Sequence, residues 1–170
     1  MVSACTGVER FTLDSVDTEV VKTAVAWFEA GRRATLATVI RTWGSAPRPI
    51  GAMLVIRDDG HVIGSVSGGC VEDDLIERVK TLTAAQQSTG AKPEVVTYGV
   101  TADQAARFGL PCGGTLQLVL EPVTAESKLK ELLTTIERHE LVARLLDMET
   151  GAVSLTPATG RTCSNSTAKR

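Results

Sequence analysis

Two β-branched runs, AMLVIR (Ala52 to Arg57) and HVIGSV (His61 to Val66), are separated only by Asp58, Asp59 and Gly60. So short a connection can only turn the chain back beside itself, which makes the pair an antiparallel hairpin with glycine in its turn. The hairpin argues against an all-parallel sheet. The preceding run, ATLATVIRTW (Ala34 to Trp43), is also β-branched and ends at Gly44, and PEVVTYGV (Pro93 to Val100) and GTLQLVLE (Gly114 to Glu121) read as further strands.

Between these runs the period changes to that of a helix. In DTEVVKTAVAWFEAG, residues Val20, Val21, Ala24, Val25 and Phe28 share one face, with Asp17 suited to the N-cap and Gly31 to the stop. Val71 to Gln87 carries the stripe Val71, Leu75, Val79 and Leu82, and Asp74 stands four residues before Arg78 as an ion pair. Thr101 to Phe108 reads as a short helix and Ala125 to Glu137 as another; Leu141 to Met148 reads as a strand before a turn at Thr150 and Gly151. The expected fold is α/β, or α+β: a mixed sheet of about five strands that contains a hairpin and is flanked by helices. Residues 1–16 are expected to form a flexible segment, 17–122 the main domain, 123–156 a connecting helix and strand, and 157–170 a small, polar, disordered tail.

Composition removes several function classes. With 43% hydrophobic and 22% charged residues, the 170-residue chain is that of a soluble globular protein, and a net charge of -2 gives no general affinity for nucleic acid or anionic membranes. No apolar run reaches the length of a membrane span, and MVSACTGVER lacks a secretory layout, so the cytoplasm is the expected compartment. Cys5, Cys70, Cys112 and Cys163 are too scattered for a zinc ribbon or a disulfide framework, so the thiols are expected to be reduced. The two histidines, His61 and His139, are isolated, and no phosphate-loop, nucleophile-elbow or dinucleotide fingerprint occurs.

Three stretches carry candidate chemistry. In GSVSGGCVE (Gly64 to Glu72), Gly68 and Gly69 let a ligand approach the main chain, and Cys70 falls near a helix N-terminus, where a thiol pKa can drop below about 8.5. Glu72, Asp73 and Asp74 in the same turn oppose a thiolate, so a reactive Cys70 and a small buried one both remain open readings. In GLPCGG (Gly109 to Gly114), Cys112 lies in a loop before a strand; that loop reads equally as a site and as a tight turn that happens to hold a cysteine. In WGSAPRPIG (Trp43 to Gly51), Arg48 stands between two prolines as a preorganised cation for a phosphate or carboxylate, with Gly44 and Ser45 as added donors; a rigid surface loop is the bland alternative.

Taken together, RTWGSAPRPIG, GSVSGGCVE and GLPCGGT resemble, in order and register, the amino-terminal domain of the XdhC/CoxI family across residues 17–122. The resemblance implies an accessory factor that binds the molybdenum cofactor (molybdopterin) transiently, protects it during sulfuration and delivers it to an apo molybdenum hydroxylase of the xanthine dehydrogenase type. Carried over by position, the cofactor-binding residues are Gly44, Ser45, Arg48, Ser67, Gly68, Gly69, Cys70, Glu72, Cys112, Gly113 and Gly114, with Pro47 also matching; Cys70 and Cys112 are the candidate molybdenum contacts. No residue is singled out as catalytic. A cysteine desulfurase and a homodimer partner fit the same likeness. The NAD(P)-type second domain that typical members carry is expected to be absent, since the chain ends before it. Two other classes stay in view: a thiol-dependent redox or sulfur-transfer enzyme using Cys70 and Cys112, and a protein-docking domain for an apo-dehydrogenase.

Overall fold

The structure is a computed structural model that describes residues 15–44, 48–67, 69–85, 92–99 and 115–158. The expected N-terminal segment up to residue 14, the helix at 101–108, the second glycine–cysteine stretch and the tail from residue 159 lie outside the described residues. So do the side chains of Cys70 and Leu82.

Helix α1 (Ser15–Glu29) buries Val20, Val21 and Ala24, while Phe28 stays partly exposed. It stops as its sequence requires. Gly31 takes φ +70°, its N–H donates to the carbonyl of Phe28, and the Arg32 N–H donates to that of Trp27, which closes the last turn with two bonds.

Five strands form the main sheet: β1 (Ala34–Trp43), β2 (Met53–Arg57), β3 (Val62–Gly64), β4 (Glu94–Tyr98) and β5 (Thr115–Pro122), in the order β3-β2-β1-β5-β4. The hairpin is β2–β3. All four ladders are antiparallel, so the expected mixed sheet is realised as an antiparallel one with helices on its faces. Helix α2 (Cys70–Ala85) carries the chain from the β3 edge to the β4 edge across one face.

Strand alternation divides the core in two. Ala37, Val39, Leu54, Ile56, Val96, Leu116, Leu118 and Leu120 face α2, where Val71, Leu75 and Val79 meet them. Each buried valine, leucine or isoleucine among them contributes about 1.5–3 kcal/mol relative to exposure. Leu36, Met53 and Val55 face α1 on the other side.

The connecting segment is more elaborate than a helix and one strand. Lys128 at φ 49° separates a 3-10 turn (Ala125–Ser127) from helix α3 (Leu129–Glu137). Strand β6 (Val142–Leu146) then pairs with β7 (Val153–Pro157), a second strand that the sequence did not lead one to expect, all of it but Pro157 within the connecting segment. Leu129, Leu132, Val142 and Leu155 join the core beneath α1, so this segment packs on the main domain.

Candidate functional site

The antiparallel topology brings the described parts of two singled-out stretches, 44–51 and 64–72, to one end of the sheet, and the described residues on either side of the other stretch to the same end. There β1 ends at Trp43, β2 begins at Met53, β3 ends at Gly64, β4 ends at Tyr98 and β5 begins at Thr115. The register places Trp43 opposite Thr115, Leu54 opposite Gly64, and Tyr98 opposite Leu116. Cys112, Gly113 and Gly114 are outside the described residues, but Gly99 and Thr115, which bracket their segment, both sit at this end, and the Thr115 hydroxyl donates to the Gly99 carbonyl at 3.5 Å.

The loop after β1 begins at Gly44 (φ +77°) and re-enters the sheet through a turn in which the Ala52 N–H donates to the carbonyl of Pro49 at 3.2 Å. Gly51 holds the position of that turn requiring positive φ, and takes +92°. Ser45 and Pro47 lie outside the described residues. Arg48 turns inward, its Nη2 3.6 Å from Oδ1 of Asp17. Asp17 is 5% exposed, and the same oxygen accepts the Met53 N–H at 2.9 Å. Asp17 is therefore not the N-cap that the sequence suggested: α1 starts two residues earlier, and the carboxylate reaches across to the sheet. The Arg48 Nε is buried and has no hydrogen-bond partner among the described residues. Trp43, 66% exposed with the Arg41 guanidinium 5.4 Å from its ring centroid, stands at the rim.

The loop after β3 is organised by Glu72. One carboxylate oxygen accepts the Ser65 hydroxyl (2.9 Å) and the N–H groups of Val66 (3.0 Å) and Ser67 (2.8 Å). The other accepts the Gly69 N–H (2.9 Å) and the Ser67 hydroxyl. The bond to Gly69 is half of a capping box, because Gly69 precedes the helix and Glu72 is its third residue. Cys70 is the first residue of α2, and Gly68 lies outside the described residues. Ser65 and Asp17 are contributors that the sequence reading did not single out. The signal for Ser65 was its place within the motif; Asp17 showed none beyond its helix-start position.

Beneath the loops, the Tyr98 hydroxyl donates to Asp74 at 2.9 Å. Burial, and then the hydrogen bond to Asp74, push the phenol well above its ordinary pKa, so it stays protonated to higher pH than a free tyrosine. Asp74 thus serves the sheet, while Arg78, its expected helical partner, bonds Glu94 at 3.0 and 3.1 Å.

A cleft of about 470 Å³ lies at the opposite end of the sheet, walled by Arg33, Thr35, Pro93, Leu120 and Thr124. Three of its four carboxylates are matched by cations: Asp58 with Arg32 and Arg33, Glu94 with Arg78, and Glu121 with Arg144, with Glu126 the fourth. Among the described residues, no group of three or more His, Cys, Asp or Glu could hold a metal ion, and no helix is long and apolar enough to cross a membrane.

A small α/β domain whose glycine-rich loops gather at one sheet end is the class this architecture defines. Residues 27–99 match the model of the XdhC and CoxI family. The chain is 29% identical over 143 residues to the molybdenum cofactor insertion chaperone PaoD of Escherichia coli, a match covering 84% of this chain and 43% of PaoD. It is 31% identical over 105 residues to a probable xanthine dehydrogenase subunit from Bacillus subtilis, covering 61% of this chain and 30% of that protein. A crystal structure of a xanthine dehydrogenase from Bacillus halodurans superposes with a TM-score of 0.60 at 28% identity, covering 81% of this chain and 40% of that one. The chain spans less than half the length of these relatives.

Proposed function

We propose that this protein binds the molybdenum cofactor at the loop end of its sheet, assists its sulfuration and passes it to an apo molybdenum hydroxylase of the xanthine dehydrogenase type. The observation that carries the reading is the meeting of loops 44–52 and 64–72, both within the family match, at one end of the fold. Two features of that end fit a phosphate-bearing, metal-bearing ligand. The buried Arg48 Nε lacks a partner among the described residues and is suited to an anionic oxygen. At Gly69 an added Cβ would meet nothing within 4 Å among the described residues, which leaves room for a ligand against the main chain.

When bound, the cofactor supplies the molybdenum and the dithiolene; the chain supplies a cation, a close main-chain surface and thiols. Arg48 would hold the phosphate, and Cys70 and Cys112 would be the molybdenum contacts. In this reading the partners are the apo-hydroxylase, a cysteine desulfurase as sulfur source and a second copy of the chain, all in the cytoplasm. The names of the relatives support the reading: one is called an insertion chaperone, the other a dehydrogenase subunit.

The test is anaerobic purification from cells that make the cofactor, followed by measurement of molybdenum and pterin. The wild-type chain is expected to retain both. Arg48→Ala removes a charge-assisted contact worth about 1.5–3 kcal/mol, so its retention should fall roughly tenfold or more. Cys70→Ser should lose molybdenum more than pterin. Retention equal to wild type in both variants would sink the assignment.

A further inference from the structure

We propose that Glu72 is a positioning residue: its carboxylate ties Ser65, Val66, Ser67 and Gly69 into a frame that presents Gly69 as the point where a ligand meets the main chain. The inference rests on the cofactor-binding reading of the loop end and specifies which part of the loop makes contact.

By sequence pattern Glu72 stands among the ligand contacts. Its geometry gives it a different task. The N–H groups of Val66, Ser67 and Gly69, with the Ser65 and Ser67 hydroxyls, all converge on the two oxygens of Glu72. An incoming phosphate would have to displace a carboxylate attached three to seven residues away on the same chain, at high effective concentration. These donors therefore shape the loop and do not read the ligand.

The two described glycines of the motif differ in the same sense. Gly64 has φ +94°, and an added Cβ would overlap the Met53 carbonyl and the Val20 side chain, so the fold itself demands glycine there. Gly69 carries neither constraint: its φ lies outside the left-handed region, and among the described residues nothing comes near its Cβ position. The fold does not require the missing side chain at Gly69, and Glu72 fixes that residue through its N–H. Clearance for a bulky anionic ligand against the backbone accounts for both facts.

The experiment uses the full chain with Gly69→Ala and Glu72→Gln, and reads thermal unfolding, amide exchange at residues 66, 67 and 69, and retention of molybdenum and pterin. Gly69→Ala should melt within a few degrees of wild type, keep its loop amides protected and yet lose cofactor roughly tenfold or more, as expected when a reacting or binding group is held off its seat. Glu72→Gln should speed exchange at all three amides about tenfold or more and lose cofactor in parallel. Wild-type retention in Gly69→Ala overturns the contact at Gly69. Faster exchange in Glu72→Gln without loss of cofactor shows a merely structural carboxylate and overturns the positioning role. If the wild-type chain itself holds no cofactor, the proposed function falls and this inference with it; if wild type and both variants hold it equally, only this inference falls.

Discussion

Gly64→Ala is expected to lower stability by about 3 kcal/mol or more, read as a fall in the urea midpoint at unchanged slope. Two costs combine. The residue sits at φ +94°, where an L side chain is strained by about 1–2 kcal/mol. The new methyl would also drive into the Met53 carbonyl and the Val20 side chain. Neither neighbour can yield easily. The Met53 carbonyl accepts the Ser65 N–H at 3.2 Å, the Met53 N–H is held by Asp17 at 2.9 Å, and Val20 is fully buried on the inner face of α1. Overpacking of this kind costs about 1–3 kcal/mol by itself. A Gly64→Ala protein as stable as wild type would mean that β3 does not lie against α1 as described.

The second large effect belongs to the pin that holds the β6–β7 hairpin. Arg144 bonds Glu121 at 2.5 Å and sends two further bonds, at 3.3 and 3.0 Å, to the Ser127 carbonyl. Glu121 is only 4% exposed. Arg144→Ala would strand that carboxylate and leave a buried carbonyl short of two donors, with an expected loss of about 3–5 kcal/mol in denaturant unfolding. The double variant Arg144→Met with Glu121→Leu should recover most of that loss, because an apolar pair needs no mutual neutralisation. A near-neutral Arg144→Ala would show that the hairpin is not fastened there. Since this pin lies at the end of β5 away from the loops, cofactor retention by folded Arg144→Ala should match wild type.

Local pattern made most of the fold legible. The β1 bounds agree residue for residue, and Gly31 ends α1 as its position implied. The antiparallel hairpin at Asp58–Gly60 also anticipates the convergence of the loops, since strands that reverse direction bring alternate connections to the same end. What escaped depends on partners distant in the chain. Asp17 looks like a helix cap until Met53 and Arg48 are placed beside it. Asp74 and Arg78 have ideal helical spacing, yet each finds a better partner on β4, in Tyr98 and Glu94. Strand β7 has the right alternation in Val153 and Leu155, but its five residues adjoin a polar stretch that masks the period.

The candidate site divides along the same line. Glycines, Arg48 and Cys70 are visible as residue types at loop positions, whereas the inward turn of Glu72 becomes visible only when the loop closes around it. The Gly69-x-x-Glu72 spacing does carry a capping signal. Competing acids at Asp73 and Asp74 obscured it, because three neighbouring carboxylates read as one charge effect on the helix terminus.

The central claim is that the ligand is held at the loop end of the sheet and not in the cleft opposite. Amide hydrogen exchange of the full chain, with and without bound molybdenum cofactor, measures this directly. Protection is predicted at residues 48–52 and 65–70, with residues 33–35, 92–94 and 121–126 unchanged. Protection confined to the latter three segments would contradict it.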